Sequence, residues 1–199
     1  MDYKLGRTKG PLVARSVVFV ISPLVSLMID QVRSLNTGGV SAAILSSNKG
    51  IDRSLVATNK DVSDGKYRLL FTAPEAVVED YRWRMLLLEP PLNSSLVAIA
   101  VDKAHCVYKW SSDFRPAYAH LGELRAFAPP GAPMLAATAT VTDVMRNVIV
   151  EVLEMTGCAV GRELTVKGDA SEPLVSLVLF LGADLTGLLG SCSLDTCFW

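Results

Sequence analysis

Metal and redox chemistry have little to work with in this sequence. It holds four cysteines, Cys106, Cys158, Cys192 and Cys197, with no Cys-x-x-Cys pair, and two histidines, His105 and His120, that stand apart. No zinc site is expected from such spacing, and no disulfide framework; free thiols in a reducing compartment are the default. Excess positive charge is also missing. Nineteen Lys and Arg face twenty Asp and Glu, a net charge of −1, so no global basic field draws the chain to nucleic acid and only a local basic groove remains open. Long apolar runs are absent as well. Val17–Leu27 is broken by Ser22 and Pro23, and Leu174–Leu189 by Gly182, Asp184 and Gly187, so neither reads as a membrane span and no membrane partner is expected. Met1–Arg15 is charged but is not followed by a cleavable apolar core, so no signal peptide is read there. No internal repeat appears.

What is present is a globular composition. Half of the 199 residues are hydrophobic and a fifth are charged, enough for one α/β domain with a core, or a core plus an appendage. The chain is organised around Leu96–Val101, six apolar residues that stop at Asp102. An unbroken apolar run fits a strand covered on both faces, as in a parallel sheet. Ligands of such sheets sit beyond the carboxyl ends of the strands. A carboxylate at that position can hold magnesium on a nucleotide phosphate, or serve as a turn residue or helix cap.

The same alternation recurs along the chain. Strands are expected at Ser16–Ile21, Val40–Leu45, Tyr67–Phe71, Leu96–Val101 and Pro133–Ala137. Helices are expected at Leu24–Leu35, with Ser22 as N-cap and Pro23 in the first turn, at Ile51–Val62, at Glu75–Leu88, closed by Pro90 and Pro91, at Ala117–Phe127 and at Thr142–Leu153, where Val144, Val148 and Val152 share a face. Ala104–Pro116 reads as a long polar and aromatic loop, and Glu163–Gly168 as one more short strand. Met1–Arg15 reads as irregular, residues 16–168 as the folded lobe, and residues 169–199 as a tail without clear period. Polar clusters follow the strands ending at Ile21, Phe71, Val101 and Ala137, which a parallel sheet gathers on one edge.

These clusters carry a resemblance. Ser22-Pro23-Leu24-Val25-Ser26-Leu27-Met28-Ile29-Asp30-Gln31-Val32 resembles motif Ia of the RecQ family of DNA helicases. Thr72-Ala73-Pro74-Glu75 resembles motif Ib, Asp102-Lys103-Ala104-His105 the Asp-Glu-Ala-His box of motif II, and Thr138-Ala139-Thr140 motif III. His105 through Pro116 resembles the family's aromatic-rich loop, with Trp110, Phe114 and Arg115 in a polar setting. Order and spacing agree from about Val17 to Leu153.

The resemblance implies an α/β, three-layer RecA-like lobe of the P-loop NTPase type with a mostly parallel sheet, and the ligands ATP, Mg2+ and DNA, single-stranded or forked. It implies an ATP-driven 3′-to-5′ unwinding activity in DNA recombination and repair, and nuclear placement. Asp102 would hold the metal, with Lys103 and His105 beside it at the catalytic corner. Ser22, Pro23, Ser26, Thr72, Pro74, Trp110, Phe114 and Arg115 would meet DNA, and Thr138 and Thr140 would couple the nucleotide to the DNA. Each has a plainer reading too. Ser22 serves equally as an N-cap, Thr72 and Pro74 as helix-start residues, Trp110 and Phe114 as a local core, and the two threonines as a turn.

Three departures weigh against turnover. No Gly-x-x-x-x-Gly-Lys-[Ser/Thr] phosphate loop occurs in these 199 residues, so the lobe's first strand is expected to be missing and a sheet edge exposed. Lys103 stands where the family has glutamate, and an ammonium is no general base unless its pKa falls far. No second lobe is recognisable. The expectation is a truncated RecQ-like lobe, inactive alone. The rivals are a non-catalytic nucleic-acid or protein-binding module and a non-functional gene fragment.

Overall fold

The computed structural model describes residues 16–110, 115–139 and 141–155, and the backbone of two further strands at 163–166 and 175–182. The residues Met1–Arg15 lie outside it.

Five parallel strands make the body of the sheet: β1 (Val17–Ile21), β2 (Ala42–Leu45), β3 (Leu69–Thr72), β4 (Leu96–Val101) and β5 (Met134–Thr138). Two strands add antiparallel at one side, β6 (Glu163–Val166) and β7 (Val175–Gly182), giving the order β2-β3-β1-β4-β5-β7-β6. The seven helices are α1 (Val25–Thr37), α2 (Asn59–Ser63), α3 (Pro74–Glu79), α4 (Tyr81–Leu88), α5 (Pro90–Asn93), α6 (His105–Trp110) and α7 (Asp143–Val152), all counted among the described residues. They cover both faces, which makes three layers. One face buries Phe19, Ile21, Leu70, Ile99, Val101, Met134 and Ala136 against Leu86, Leu87, Tyr118, Leu121 and Ile149. The other buries Val20, Ile44 and Phe71 against Met28 and Val32 of α1. Burial on both faces explains why these strands read as apolar runs and not as alternations. The fold is a three-layer α/β lobe with a mostly parallel sheet, the architecture that the resemblance implies.

Several expectations are corrected. The polar helix over Ile51–Val62 is not formed. Ile51, Leu55 and Ala57 are buried, and Val56 bridges Ile44 at the outer side of β2, so this stretch covers an edge strand, with one 3-10 turn at Arg53–Leu55 and only α2 beyond it. Pro90 and Pro91 follow the end of α4 at Leu88, with Glu89 extended before them as expected, and they also start α5, where a missing N–H costs nothing. The helical stretch Glu75–Leu88 is split at Asp80, whose carboxylate caps α4. The loop expected over Ala104–Pro116 begins with α6, because Ala104 and Val107 sit three apart and both reach the core. Pro116–Phe127 winds in 3-10 turns and not as an α-helix. Its core residues Tyr118, Leu121 and Leu124 recur every three residues, the period of that helix. On α7 the buried anchor is Ile149, while Val144 is 61% exposed. An exposed sheet edge is expected without a place for it; beside β5 the sheet continues, with β7 paired from Met134↔Gly182 to Thr138↔Val178.

Gly122 marks a close approach. A Cβ placed on it would stand 2.4 Å from the backbone carbonyl oxygen of Val152 at the end of α7. Gly122→Ala should therefore force the 3-10 segment and α7 apart and lower stability by about 1–3 kcal/mol, the usual cost of overpacking. Chemical denaturation of the parent and the variant measures the difference.

Candidate functional site: the carboxyl rim of the sheet

Parallel pairing puts the ends of β1, β3, β4 and β5 on one rim. Ile21 lies opposite Thr72 and Val101, and Val101 opposite Ala136. Within this rim, β1 and β4 are neighbours whose onward connections leave in opposite directions, β1 toward β2 and β4 toward β5. That is the switch point at which open α/β sheets form their crevice. Ser22 and Asp102 are the residues that follow those two strands.

Ser22 is fully buried, and its hydroxyl donates to Asp102 Oδ2 at 3.1 Å. The backbone holds the pair in register, because Asp102 N donates to the Ile21 carbonyl at 2.8 Å and Ser22 N to the Thr72 carbonyl at 2.9 Å. The N-cap role expected for Ser22 is thus not the one it takes. The cap position of α1 is Leu24, without a side-chain hydrogen bond, and the helix starts at Val25.

Lys103 follows in the left-handed region, at φ 52°. Such a backbone costs a non-glycine residue about 1–2 kcal/mol, and its neighbours hold it there. Ala104 N donates to the Ala137 carbonyl and Cys106 N to the Lys103 carbonyl, each at 2.8 Å. His105 then lies within 2.8 Å of the Thr138 hydroxyl through Nδ1, so the end of β5 is tied to the turn after β4. Thr138 is buried. Burial holds the His105 imidazole below its ordinary pKa, helped by the positive charges of Lys109 and Lys103 and opposed by Asp102. The ring is therefore neutral at pH 7.

Arg115 gathers the other two rim segments. Its Nε and Nη2 donate to Glu75 Oε1 and Oε2 at 2.5 Å each, and its Nη1 donates to the Pro23 carbonyl at 2.7 Å. Its guanidinium also lies over the Tyr118 ring, 5.6 Å from the centroid. Thr72 is fully buried and donates to the Leu45 carbonyl at 3.2 Å.

Of the residues singled out from the sequence, Asp102, Lys103, His105, Ser22, Pro23, Thr72, Pro74, Arg115 and Thr138 are brought together on this rim. Pro23 and Pro74 are buried, while Ser26 is exposed in the first turn of α1. Phe114, Thr140 and the Trp110 side chain lie outside the described residues. Sequence reasoning passed over Glu75 and Tyr118, the partners of Arg115. Glu75 had a signal, since it directly follows Pro74 in the motif Ib stretch.

The rim offers one carboxylate at the switch point, already accepting from Ser22, with an ammonium-bearing residue next in the chain. Among the described residues no group of three or more His, Cys, Asp or Glu could hold a metal ion. An Mg2+–nucleotide site needs one or two carboxylates together with a phosphate cradle. Asp102 could supply the first, but the 199 residues hold no phosphate-loop sequence for the second. The residues present do not fit a complete ATP–Mg2+ centre.

The state of His105 fixes a sign for pH. Its folded pKa lies below the ordinary value, so the unfolded chain takes up the proton first and stability falls as pH drops through about 6.5. Thermal melts of the parent should lose stability between about pH 7 and 5, and His105→Gln should flatten that part of the profile.

No family model matches the chain. The ATP-dependent DNA helicase RecQ of Haemophilus influenzae is 40% identical over 124 residues, 62% of this chain and 19% of that protein. The ATP-dependent DNA helicase Q-like 4B of Arabidopsis thaliana is 37% identical over 153 residues, 76% of this chain and 13% of that one. The mouse bifunctional 3′-5′ exonuclease/ATP-dependent helicase WRN is 34% identical over 145 residues, 73% of this chain and 10% of that one. Among solved structures, the DUF1998 helicase MrfA bound to DNA and AMPPNP aligns with a TM-score of 0.47 at 14% identity, over 70% of this chain and 20% of its own. The chain is thus similar to RecQ helicases over 62–76% of its own length, as a RecQ-like helicase lobe that spans a fifth or less of each of these three relatives.

Proposed function

We propose that these 199 residues form a DNA-binding, RecQ-like lobe of the ATP-driven 3′-to-5′ helicase type and do not turn over ATP alone. The observation that carries the reading is the single rim on which all the helicase-like segments end, with its DNA-facing parts better kept than its nucleotide-facing ones. Single-stranded or forked DNA is the partner. The exposed Ser26 and the unpaired amides in the first turn of α1 offer a backbone phosphate hydrogen-bond donors and a favourable dipole. Trp110 and Phe114, from the aromatic-rich segment, supply base stacking, worth about 1–3 kcal/mol per base. Thr140 belongs with Thr138 in a link between the turn after β4 and the strand after it.

ATP and Mg2+ remain family ligands, with Asp102 as the metal-holding carboxylate. Lys103 stands where the family has a proton-accepting glutamate and these 199 residues carry no phosphate-loop sequence, so no hydrolysis is expected of them alone. Recombination, repair and a nuclear address follow from the family reading. Among the described residues no helix is long and apolar enough to cross a membrane.

A second reading, a protein-binding module, is favoured by the internal satisfaction of Ser22, Thr72 and Arg115, which leaves less polar surface for DNA. Fluorescence anisotropy with a labelled single strand separates the two. DNA binding that weakens steeply with salt is expected, together with phosphate release that stays at background when DNA is added. An unchanged anisotropy at low salt overturns the DNA reading, and DNA-stimulated phosphate release overturns the claim of inactivity.

A further inference from the structure

We propose that Arg115 is a positioning residue that locks three DNA-facing segments into one surface and does not itself hold a phosphate. The inference deepens the DNA-binding reading above and rests on it. Arg115 comes from the segment that carries Phe114, Glu75 from the first turn of α3 beside Pro74, and Pro23 from the turn before α1. These positions are 40 and 92 residues from Arg115 in sequence. One guanidinium fork spans all three, with two N–H groups on the Glu75 carboxylate and a third on the Pro23 carbonyl.

The geometry leaves this cation little to offer a ligand. Its side chain is only 19% exposed, one face of the fork lies over the Tyr118 ring, and Tyr118 is itself fully buried. A phosphate would have to displace a two-point ion pair with a carboxylate, which is a stronger partner than a single charged contact. Glu75 is equally committed. Bare, its carboxylate would repel a DNA backbone from the start of α3; paired, it presents no net charge there. Only a planar, five-donor head serves two oxygens of one carboxylate and a carbonyl at once, so lysine is no substitute.

The two roles make opposite forecasts for Glu75. If Arg115 contacted phosphate, neutralising Glu75 would free the arginine, remove a nearby negative charge and strengthen DNA binding. If Arg115 positions the rim, neutralising Glu75 loosens the grip and weakens binding, although no DNA contact is removed. Salt dependence separates them again. Losing one phosphate contact lowers the slope of log affinity against log salt by about one, whereas losing a positioning contact leaves the slope alone.

The experiment titrates a labelled oligothymidylate with the parent chain, Glu75→Gln and Arg115→Lys at several salt concentrations, with thermal melts to check folding. Both variants are expected to bind about tenfold more weakly than the parent with the parent's salt slope. Tighter or unchanged binding by Glu75→Gln, or unchanged binding by Arg115→Lys, which keeps the charge a phosphate contact needs but not the fork, overturns the proposal. Should Glu75→Gln fail to fold, Glu75→Asp keeps the charge and shortens the reach. Weaker binding at the parent slope then supports the proposal, and unchanged binding overturns it. A parent chain that does not bind at about 50 mM salt overturns the DNA reading itself, a result distinct from any difference between parent and variants.

Discussion

The parallel pairing of β1 with β4 is the constraint from which the site follows. Ile21 opposite Val101 brings two strand ends from 80 residues apart to adjacent positions, and the Ser22–Asp102 hydrogen bond closes that corner. Because the chain leaves β1 and β4 in opposite directions, the corner is also the switch point of the sheet. β3 and β5 then carry Thr72 and Thr138 to either side of it. A one-residue slip between β1 and β4 would turn every alternate side chain to the other face. If β1 slipped, Phe19 and Ile21 would leave the larger core, and Ser22 would lose Asp102.

Burial tells how the rim is kept rigid. The buried polar residues among those described are Ser22, Thr72 and Thr138, and all three stand at the carboxyl ends of strands. Each hydroxyl has a partner: the Asp102 carboxylate, the Leu45 carbonyl and the His105 ring. Buried polar groups need such partners because an unmet one costs about 1–3 kcal/mol. These residues therefore work as ties within the rim. Beside them Ser26 stays exposed in the first turn of α1. Arg115 extends the same logic outward by joining the turn before α1 to the start of α3. The β7 strand, by pairing with β5, does at the far side what Val56 does beside β2.

Much of this was legible in the sequence, for particular physical reasons. Leu96–Val101 was read to the residue because an apolar run ending at a charge has few other meanings. The common rim was legible because polar clusters followed four apolar runs. What was hidden was decided by contacts distant in sequence. Ser22 and Pro23 have the signature of a helix start, yet a carboxylate 80 residues away takes the hydroxyl. Ile51, Leu55 and Ala57 look like scattered apolar residues in a polar helix until the edge of β2 is there to receive them. The 3-10 winding after Pro116 was readable in principle, since Tyr118, Leu121 and Leu124 keep a period of three. The pairing of Arg115 with Glu75 left no trace in spacing, as no local rule joins positions 40 apart.

Central to the proposed function is that DNA meets the carboxyl rim of the sheet. Amide chemical-shift mapping of the isotope-labelled chain with a short single strand tests it most directly. The account predicts shifts concentrated in residues 22–27, 73–76 and 102–110. Shifts clustered instead at the opposite ends of the strands, near residues 40–41, 66–68 and 94–95, would contradict it.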